Sequence, residues 1–261
     1  MPPASDLSTS GAGTPDVRPP TTSAARSVHT AVVWAALARV AAEAHEPLDV
    51  LDVGGGTGGL AVPMAQLGHR VTVVDPSPDA LASLERRAGE AGVSVRSLQG
   101  DAAGLLDVVD PASADLALCH GVLEHVDDVE PALAALVAAL RPRGWLSVLV
   151  ANRHAVVLAR AVAGHLAQAR AALDDPDGRW GPGDPLPRRF GEDELLARLA
   201  AAGLTVGAVH GVRTLADLVP GSAVDHDSGT AELLLDLETA TADHPAFRAV
   251  ATQLHVLARR D

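Results

Sequence analysis

The amino-acid sequence predicts an α/β fold, a parallel β-sheet covered by helices on both faces. Two observations predict it. Short apolar runs of strand length alternate along the chain with longer segments whose apolar residues recur at helical spacing. Helical segments between successive strands are typical connections of parallel strands, and a parallel sheet needs helices on both faces to exclude water. With 261 residues, 48% of them hydrophobic, the chain can bury a core of this size.

The predicted elements begin with a helix at residues 28–44. Strand-like apolar runs follow it at residues 48–53, 70–74, 93–98, 114–118 and 145–150. The helix after the second strand is expected to have Ser77 as its N-cap and to end at Gly92. A helix at 129–140 precedes the fifth strand, with a turn at Gly144 between them. Ligands of open parallel sheets bind beyond the carboxyl ends of the strands, so the functional site is expected there.

The chain divides into a tail and one domain. Residues 1–25 are rich in Pro, Ser, Thr, Gly and Ala and are predicted to be a disordered tail. Residues 26–261 then form a single domain. Two further strands are predicted near its end, at residues 205–213 and 253–259. Two insertions among these late strands, at about 153–190 and 214–245, are predicted to form a helical cap over the site.

Composition excludes several classes of partner. The formal net charge is −13 and all 20 basic residues are Arg, so broad attraction to nucleic acid or an anionic membrane is disfavoured, and no DNA partner is expected. A local basic patch remains open. No apolar run approaches the length of a membrane span, and the first residues lack the pattern of a signal peptide. The single cysteine, Cys119, cannot form an internal disulfide, so a cytoplasmic location is expected.

A glycine-rich stretch, "LDVGGGTGGL" at residues 51–60, follows the first strand. It satisfies two templates, the G-x-G-x-x-G pattern of dinucleotide-binding proteins and the [DE]-x-G-x-G-x-G pattern of proteins that bind S-adenosylmethionine (SAM). The first uses Gly54, Gly56 and Gly59, and the second begins at Asp52. Asp75, which follows the second strand, is placed to accept hydrogen bonds from ribose hydroxyls in either class.

Two carboxylates favour SAM over a dinucleotide. Asp52, at the end of the first strand, would repel a pyrophosphate but attract the ammonium group of a methionine moiety. SAM carries no phosphate and its sulfonium is positive, so an acidic site suits it. Asp101, just past the third strand, can accept a hydrogen bond from an adenine amino group.

The sequence segments that follow the glycine stretch indicate the family. In their order, "QGDAAGLL", "LALCHGVLEHVDD" and "LRPRGWLSVLV" resemble the class I SAM-dependent methyltransferases, which have a Rossmann-like fold, over residues 45–155. A narrower resemblance, in segments such as "VLDVGGGTG", "LCHGVLEHV", "VANRHAVVLARAVAGHL" and "HGVRTLADLV", is to the bacterial SmtA/CmoM family. Its best-described members methylate the carboxyl group of 5-carboxymethoxyuridine at the tRNA wobble position.

The resemblance also implies which residues contact SAM. By position they are Gly54, Gly55, Asp75, Ala102, Ala103 and His120. The family has an arginine five residues before a tryptophan in the first helix, and here His29 stands at that distance before Trp34. Together with Asp52, Gly56 and Asp101 from the preceding arguments, these residues form the predicted cofactor site.

The candidate catalytic residues depend on the methyl acceptor. A carboxylate is already ionised at neutral pH and needs a cation to hold it, whereas a hydroxyl or an amine needs a base. Arg213 and Arg153 are candidates for the first role, and His120 is a candidate contact to SAM or base. Glu124 and His125 match no standard metal motif and are interpreted as surface or helix-capping residues, so no metal site is predicted.

Three functions remain open from the sequence. The first is methylation of the tRNA wobble nucleoside. The second is methylation of a small molecule on oxygen or nitrogen, which the acidic composition favours. The third is SAM binding without catalysis, which the histidine at position 29 suggests. A narrow phosphate track for tRNA would draw on four arginines of the late segments, namely Arg179, Arg188, Arg189 and Arg213.

Overall fold

A computed structural model describes residues 30–44, 46–220 and 228–261. The predicted tail at 1–25 and His29 lie outside the described residues. Within these ranges seven strands form one sheet in the order β3-β2-β1-β4-β5-β7-β6. The strands are β1 (Asp49–Val53), β2 (Arg70–Asp75), β3 (Arg96–Gln99), β4 (Ala114–His120), β5 (Leu140–Ala151), β6 (Leu204–Val212) and β7 (Gln253–Arg260). The alternating α/β architecture is as the sequence predicts.

The sheet is mixed, which corrects the expectation of a wholly parallel one. Strands β1 to β5 pair with one another in parallel, but β7 pairs antiparallel with both β5 and β6. The direction of β7 is set by the helical segment that precedes it, which returns the chain to the carboxyl edge of the sheet. A strand's own residues do not encode its direction.

The helices of the first half are α1 (Ala31–Glu43), α2 (Ala61–Gln66), α3 (Pro78–Glu90) and α4 (Val129–Ala139). The predicted cap of α3 is confirmed, because the hydroxyl of Ser77 accepts a hydrogen bond from the Ala80 amide. The predicted turn at Gly144 is wrong. Those residues belong to β5, where Arg143 has a positive φ of 66° and the pairing with β4 shifts register.

Two apolar clusters pack on opposite faces of the sheet. The residues of α1, α2 and α3 cover one face, where Trp34, Met64 and Leu84 are buried. Helices α4 and α7 (Glu192–Ala201) cover the other face. The core is aliphatic, as it must be in a chain with no tyrosine and only five phenylalanine and tryptophan residues together.

The late insertions are helical. The first contains α5 (Arg153–Val162) and α6 (Leu166–Asp174), which are separated at Gly164 with a φ of 79° and pack on each other. The second contains α8 (Ser228–Thr241), which packs against α1, and the short helix α9 (Pro245–Arg248). That the two insertions together cover the site stays a prediction.

Candidate functional site

The glycine loop turns away from β1 at the edge of the sheet where the site is expected. Gly54 and Gly56 have positive φ angles of 74° and 54°, which residues with side chains rarely adopt. The Gly54 amide donates to the carbonyl of Val74 at 2.7 Å, so the start of the loop is fixed to β2. A β-carbon at Gly54 would lie 2.3 Å from Cγ2 of Val122. This glycine is therefore required by packing as well as by conformation.

Asp75 organises the loop from the end of β2. Its Oδ2 accepts the Gly56 amide at 2.9 Å and its Oδ1 accepts the Ser77 amide at 2.9 Å. An ionised carboxylate offers about four acceptor positions, so these two bonds leave about two for a ligand. The side chain is therefore a structural part of the loop with acceptor positions left over.

Asp52 lies beneath the loop at the end of β1. Only 3% of the residue is exposed, and a β-carbon at Gly55 would lie 2.6 Å from its Oδ2. Burial, together with repulsion from Asp75, raises the pKa of Asp52 to about 7. The carboxyl group therefore exchanges its proton close to neutral pH, and a cation brought to the loop would favour its ionised form.

The residues after β3 form a tight turn at the same edge. Asp101 is exposed and accepts the Gly104 amide at 2.8 Å. Ala102 is buried, whereas Ala103 is exposed. The structure thus brings Asp101 and Ala103 to the surface of the carboxyl edge and turns Ala102 into the core.

His120 ends β4, next to β1 in the sheet. It is half-buried, and burial lowers its pKa to about 4. Its Nε2 lies 2.8 Å from the hydroxyl of Ser147 on β5. The imidazole is therefore neutral at pH 7, and one of its ring nitrogens is already engaged inside the protein.

Glu124 is not a surface or capping residue, which corrects the sequence-based interpretation. It is 3% exposed, and its Oε1 accepts the Ala151 amide at 2.7 Å, where β5 ends. Desolvation raises its pKa, against the lowering effect of that bond. His125, by contrast, is exposed. The buried acid holds the loop after β4 against β5, which sequence spacing did not reveal.

The two arginine candidates differ in their partners. Arg213, just past β6, has a positive φ of 59° and donates to Asp217 at 2.7 Å, so its charge is neutralised within the protein. Arg153 begins α5, and its Nη2 donates at 3.0 Å to the backbone carbonyl of Asp175. Within the described ranges no carboxylate forms an ion pair with Arg153, so its charge is the more available of the two.

Three of the four arginines of the predicted phosphate track have carboxylate partners. Arg189 is 8% exposed at its side chain and forms a two-pronged ion pair with Asp184, at 2.8 and 2.9 Å. Arg179 pairs with Asp175 at 3.3 Å. Arg188, by contrast, donates from Nη2 to the backbone carbonyl of Asp127 at 3.2 Å. That the four arginines bind tRNA phosphates stays a prediction.

A cavity of about 510 Å³ lies beside the carboxyl end of β5, between α5, α6, α7 and α9. Arg153 and His154 line one side of it, and Glu192 and Arg248 line another. Its size is that of a small-molecule pocket. Over the described parts of the chain, no three His, Cys, Asp or Glu side chains are grouped to hold a metal ion, and no helix is long and apolar enough to cross a membrane.

Comparison with known proteins identifies the family. The model of the methyltransferase domain family matches residues 51–148. The tRNA 5-carboxymethoxyuridine methyltransferase of Escherichia coli (strain K12) is 31% identical over 240 residues, which cover 88% of this chain and 87% of that protein. The chain belongs to the SmtA/CmoM family of class I SAM-dependent methyltransferases.

Other similar methyltransferases act on small molecules, according to their names. The ubiquinone biosynthesis O-methyltransferase of Methylocella silvestris is 35% identical over 172 residues, 63% of this chain and 60% of that protein. The structure of the 1,6-didemethyltoxoflavin-N1-methyltransferase of Burkholderia thailandensis, with bound S-adenosylhomocysteine, superposes with a TM-score of 0.53. It is 26% identical, and the match covers 92% of this chain and 80% of that one.

The loop of this methyltransferase fits SAM. Gly55 leaves room for the carboxylate of Asp52, which a β-carbon would approach to 2.6 Å, and the remaining acceptor positions of Asp75 suit the two hydroxyls of a ribose. The acidic pair of Asp52 and Asp75 suits a ligand with positive charge and no phosphate. The glycine loop and Asp75 were predicted from the sequence, whereas Glu124 and the partners of the arginines were not.

Proposed function

We propose that the methyltransferase acts on the carboxyl group of 5-carboxymethoxyuridine at the tRNA wobble position. One observation carries this proposal: the similarity to the E. coli tRNA enzyme spans 240 residues. It therefore extends beyond residues 51–148, which the general methyltransferase domain accounts for, into the late helices and strands. Those late segments line the cavity beside β5, where a methyl acceptor would enter.

The cofactor assignments belong to the same proposal. Asp75 binds the ribose hydroxyls, Asp52 the methionine ammonium, and Asp101 the adenine amino group. The backbone of Gly54, Gly55 and Gly56 approaches the ligand closely, with Ala102 and Ala103 beside the adenine. His29 and His120 complete the cofactor site at positions that contact SAM in the family. SAM, when bound, supplies an activated methyl group with a good leaving group.

The protein's own contribution is then to hold the acceptor in line and to exclude water. A carboxylate acceptor is ionised at neutral pH, so it needs no base. It does need a cation, and Arg153 is the candidate whose charge is not neutralised by a described carboxylate. The guanidinium can bind a carboxylate with two parallel hydrogen bonds.

Binding of SAM is expected to be coupled to the proton of Asp52. In the free protein the pKa of Asp52 is about 7, and the ligand's ammonium group would lower it. The affinity for SAM should therefore rise by up to about tenfold per pH unit below 7 and then level off. Calorimetry at pH 6 in two buffers of different ionisation enthalpy should show proton release. Asp52→Asn should abolish the release, and an unchanged release in that variant would contradict the assignment.

The substrate is tested by nucleoside mass spectrometry on tRNA from a gene-deletion strain and its parent. The expected result is loss of the methyl ester of carboxymethoxyuridine with accumulation of the free acid. Purified protein with SAM should restore the ester on that tRNA. Arg153→Ala should lower kcat/KM by about tenfold or more, whereas Arg213→Ala, whose guanidinium is already paired, should change it little. An ester that persists in the deletion strain would overturn the tRNA assignment.

A second candidate is methylation of a small hydroxyl- or amine-bearing molecule. The net charge of −13 and the internal ion pairs of Arg179, Arg189 and Arg213 favour it, because they weaken the attraction to tRNA phosphates. Transfer of a labelled methyl group from SAM to a fraction of cellular metabolites, with tRNA inert, would establish this candidate.

A further inference from the structure

A row of polar side chains crosses the sheet on the face that α1 covers. His120 ends β4, Ser147 lies in β5, His255 in β7 and His210 in β6, so each occupies a strand next to the previous one. The last three are almost fully buried, with 0%, 0% and 2% of the residue exposed. Polar side chains on four neighbouring strands of a largely apolar face need a common explanation. We call these four residues the histidine row.

Hydrogen bonds join the row without a gap. Nε2 of His120 lies 2.8 Å from Oγ of Ser147, and that Oγ lies 2.8 Å from Nε2 of His255. Nδ1 of His255 lies 3.1 Å from Nδ1 of His210. Both nitrogens of His255 are therefore used, one toward each neighbour. The Nδ1 of His120 meets no partner within the described part of the chain and is the nitrogen left for the site.

The row ends at the protein surface between two opposite charges. Nε2 of His210 lies 3.4 Å from Oδ1 of Asp243 and 3.4 Å from Nη2 of Arg39 on α1. The side chain of Asp243 is 75% exposed and Arg39 is also exposed, so both are in contact with solvent. One of these groups accepts hydrogen bonds, and the other only donates them.

The two end groups impose opposite directions of hydrogen-bond donation, or polarities, on the whole row, because a neutral imidazole has one donor and one acceptor. If His210 donates to Asp243, the proton of His255 must lie on Nδ1 and that of His120 on Nε2, which leaves Nδ1 of His120 bare. If His210 accepts from Arg39, every bond reverses and His120 carries its proton on Nδ1. The intervening hydroxyl of Ser147 serves both arrangements.

We propose that the histidine row is a proton relay, which sets the tautomer of His120 from the protein surface and connects the carboxyl edge of the sheet with Asp243. The proposal rests on the methyltransferase function and on the place of His120 at the carboxyl end of β4, next to β1 and its glycine loop. Ser147, His255 and His210 are then positioning residues that act through His120. The tautomer decides whether Nδ1 of His120 presents an acceptor or a donor to a substrate bound at that edge.

The proton balance of the relay is closed. An acceptor hydroxyl or amine gives its proton to Nδ1 of His120, whose Nε2 proton passes to Oγ of Ser147. The hydroxyl proton passes to Nε2 of His255, its Nδ1 proton to Nδ1 of His210, and the Nε2 proton of His210 to Asp243. Each group ends neutral and reversed, and Asp243 holds the proton. Once the product has left, the reverse transfer from Asp243 along the row releases the Nδ1 proton of His120 to water and restores the first arrangement. For an acceptor that is already ionised, the reversed polarity offers Nδ1–H of His120 as a hydrogen-bond donor.

The surroundings disfavour a stored positive charge on the row. Burial lowers the pKa of His255 well below its usual range, and the neighbouring imidazoles and Arg39 lower it further. Burial also lowers the pKa of His210, where Arg39 and Arg248 oppose the raising effect of Asp243. The imidazoles of the row are therefore neutral at pH 7, and its two arrangements differ only in tautomer.

The relay is tested without a methyl acceptor, by ¹⁵N NMR of the histidine rings in the full chain. The shifts of the ring nitrogens distinguish protonated from bare ones. Asp243→Ala leaves Arg39 as the end group, so the Nδ1–H tautomer of His120 and His210 and the Nε2–H tautomer of His255 should all increase. Arg39→Ala should move all three in the opposite direction. A change of about two- to fivefold in the tautomer ratios is expected for such exposed contacts.

Ser147→Ala separates a relay from a set of independent structural contacts. In the Asp243→Ala background it should abolish the response of His120 while His255 and His210 still respond. A response confined to His210 in the single variants, or a response of His120 that survives removal of the hydroxyl, would overturn the relay. Neither result bears on the tRNA assay, so failure of the relay and failure of the proposed substrate are distinguishable.

Discussion

Replacement of Asp75 with alanine is expected to weaken SAM binding by about 10- to 100-fold or more. Hydrogen bonds to a charged group contribute about 1.5–3 kcal/mol, and Asp75 makes such bonds to the Gly56 and Ser77 amides before any ligand is bound. The variant would lose the proposed bonds to the ribose and also the organisation of the glycine loop. Calorimetric titration with SAM measures the effect directly.

The matched control is Asp79→Ala. Asp79 is an exposed carboxylate in the first turn of α3, four residues further along the same chain segment. Removal of Asp79 changes the net charge by the same amount as removal of Asp75. If the position of the carboxylate rather than the net charge determines SAM binding, the affinity of Asp79→Ala for SAM should stay within about twofold of that of the unmodified protein. Equal affinities for the Asp75 variant and the unmodified protein would refute the assignment of Asp75 to the cofactor.

The second large effect is expected on stability, at the buried ion pair of the loop after α6. Asp184→Asn should lower the free energy of unfolding by about 3–5 kcal/mol, because it leaves the charge of Arg189 buried without its partner. Asp174→Asn is the control in the same region, since Arg170 and Asp174 form an exposed pair. It should cost no more than about 1 kcal/mol. Urea denaturation of the three proteins measures the difference.

The stabilisation by Asp184 should also depend on pH. Burial alone would raise the pKa of this carboxyl, but its bonds with Arg189 and the amides of Trp180 and Leu186 outweigh that effect and hold the pKa below its usual value. A depressed pKa means that the stabilisation is present above the ordinary aspartate pKa of about 4 and is lost as pH falls through the lower, folded-state value. The difference in the free energy of unfolding between Asp184→Asn and the unmodified protein should therefore become smaller in acid. A gap that persists unchanged to pH 2 would contradict this account.

Local sequence patterns were enough to predict the first half of the fold. The alternation of strands and helices from β1 to β5 follows from apolar periodicity, and the start of α3 follows from its cap. The glycine loop and Asp75 were found for the same reason, because loop conformation and ligand approach require particular residues at fixed spacing.

Contacts between segments that are distant along the chain were not predicted from the sequence. Glu124 was assigned to the surface, yet it is buried against the end of β5, 27 positions away along the chain. Arg189 was a candidate for phosphate binding, yet Asp184 neutralises it inside the protein. In both cases the residue type indicates a charge, and only the packing around it decides whether water, a partner or a ligand meets that charge.

The sequence by itself determined that this chain is a class I SAM-dependent methyltransferase, since the motifs of that family occupy one short loop and the ends of consecutive strands. The tertiary structure alone decided the direction of β7 and, with it, the histidine row. His120, His210 and His255 have no common spacing along the chain. They meet because β7 inserts antiparallel between β5 and β6, which sets His255 opposite His210 and within reach of Ser147. Strand order is a property of the folded sheet, and no local pattern carries it.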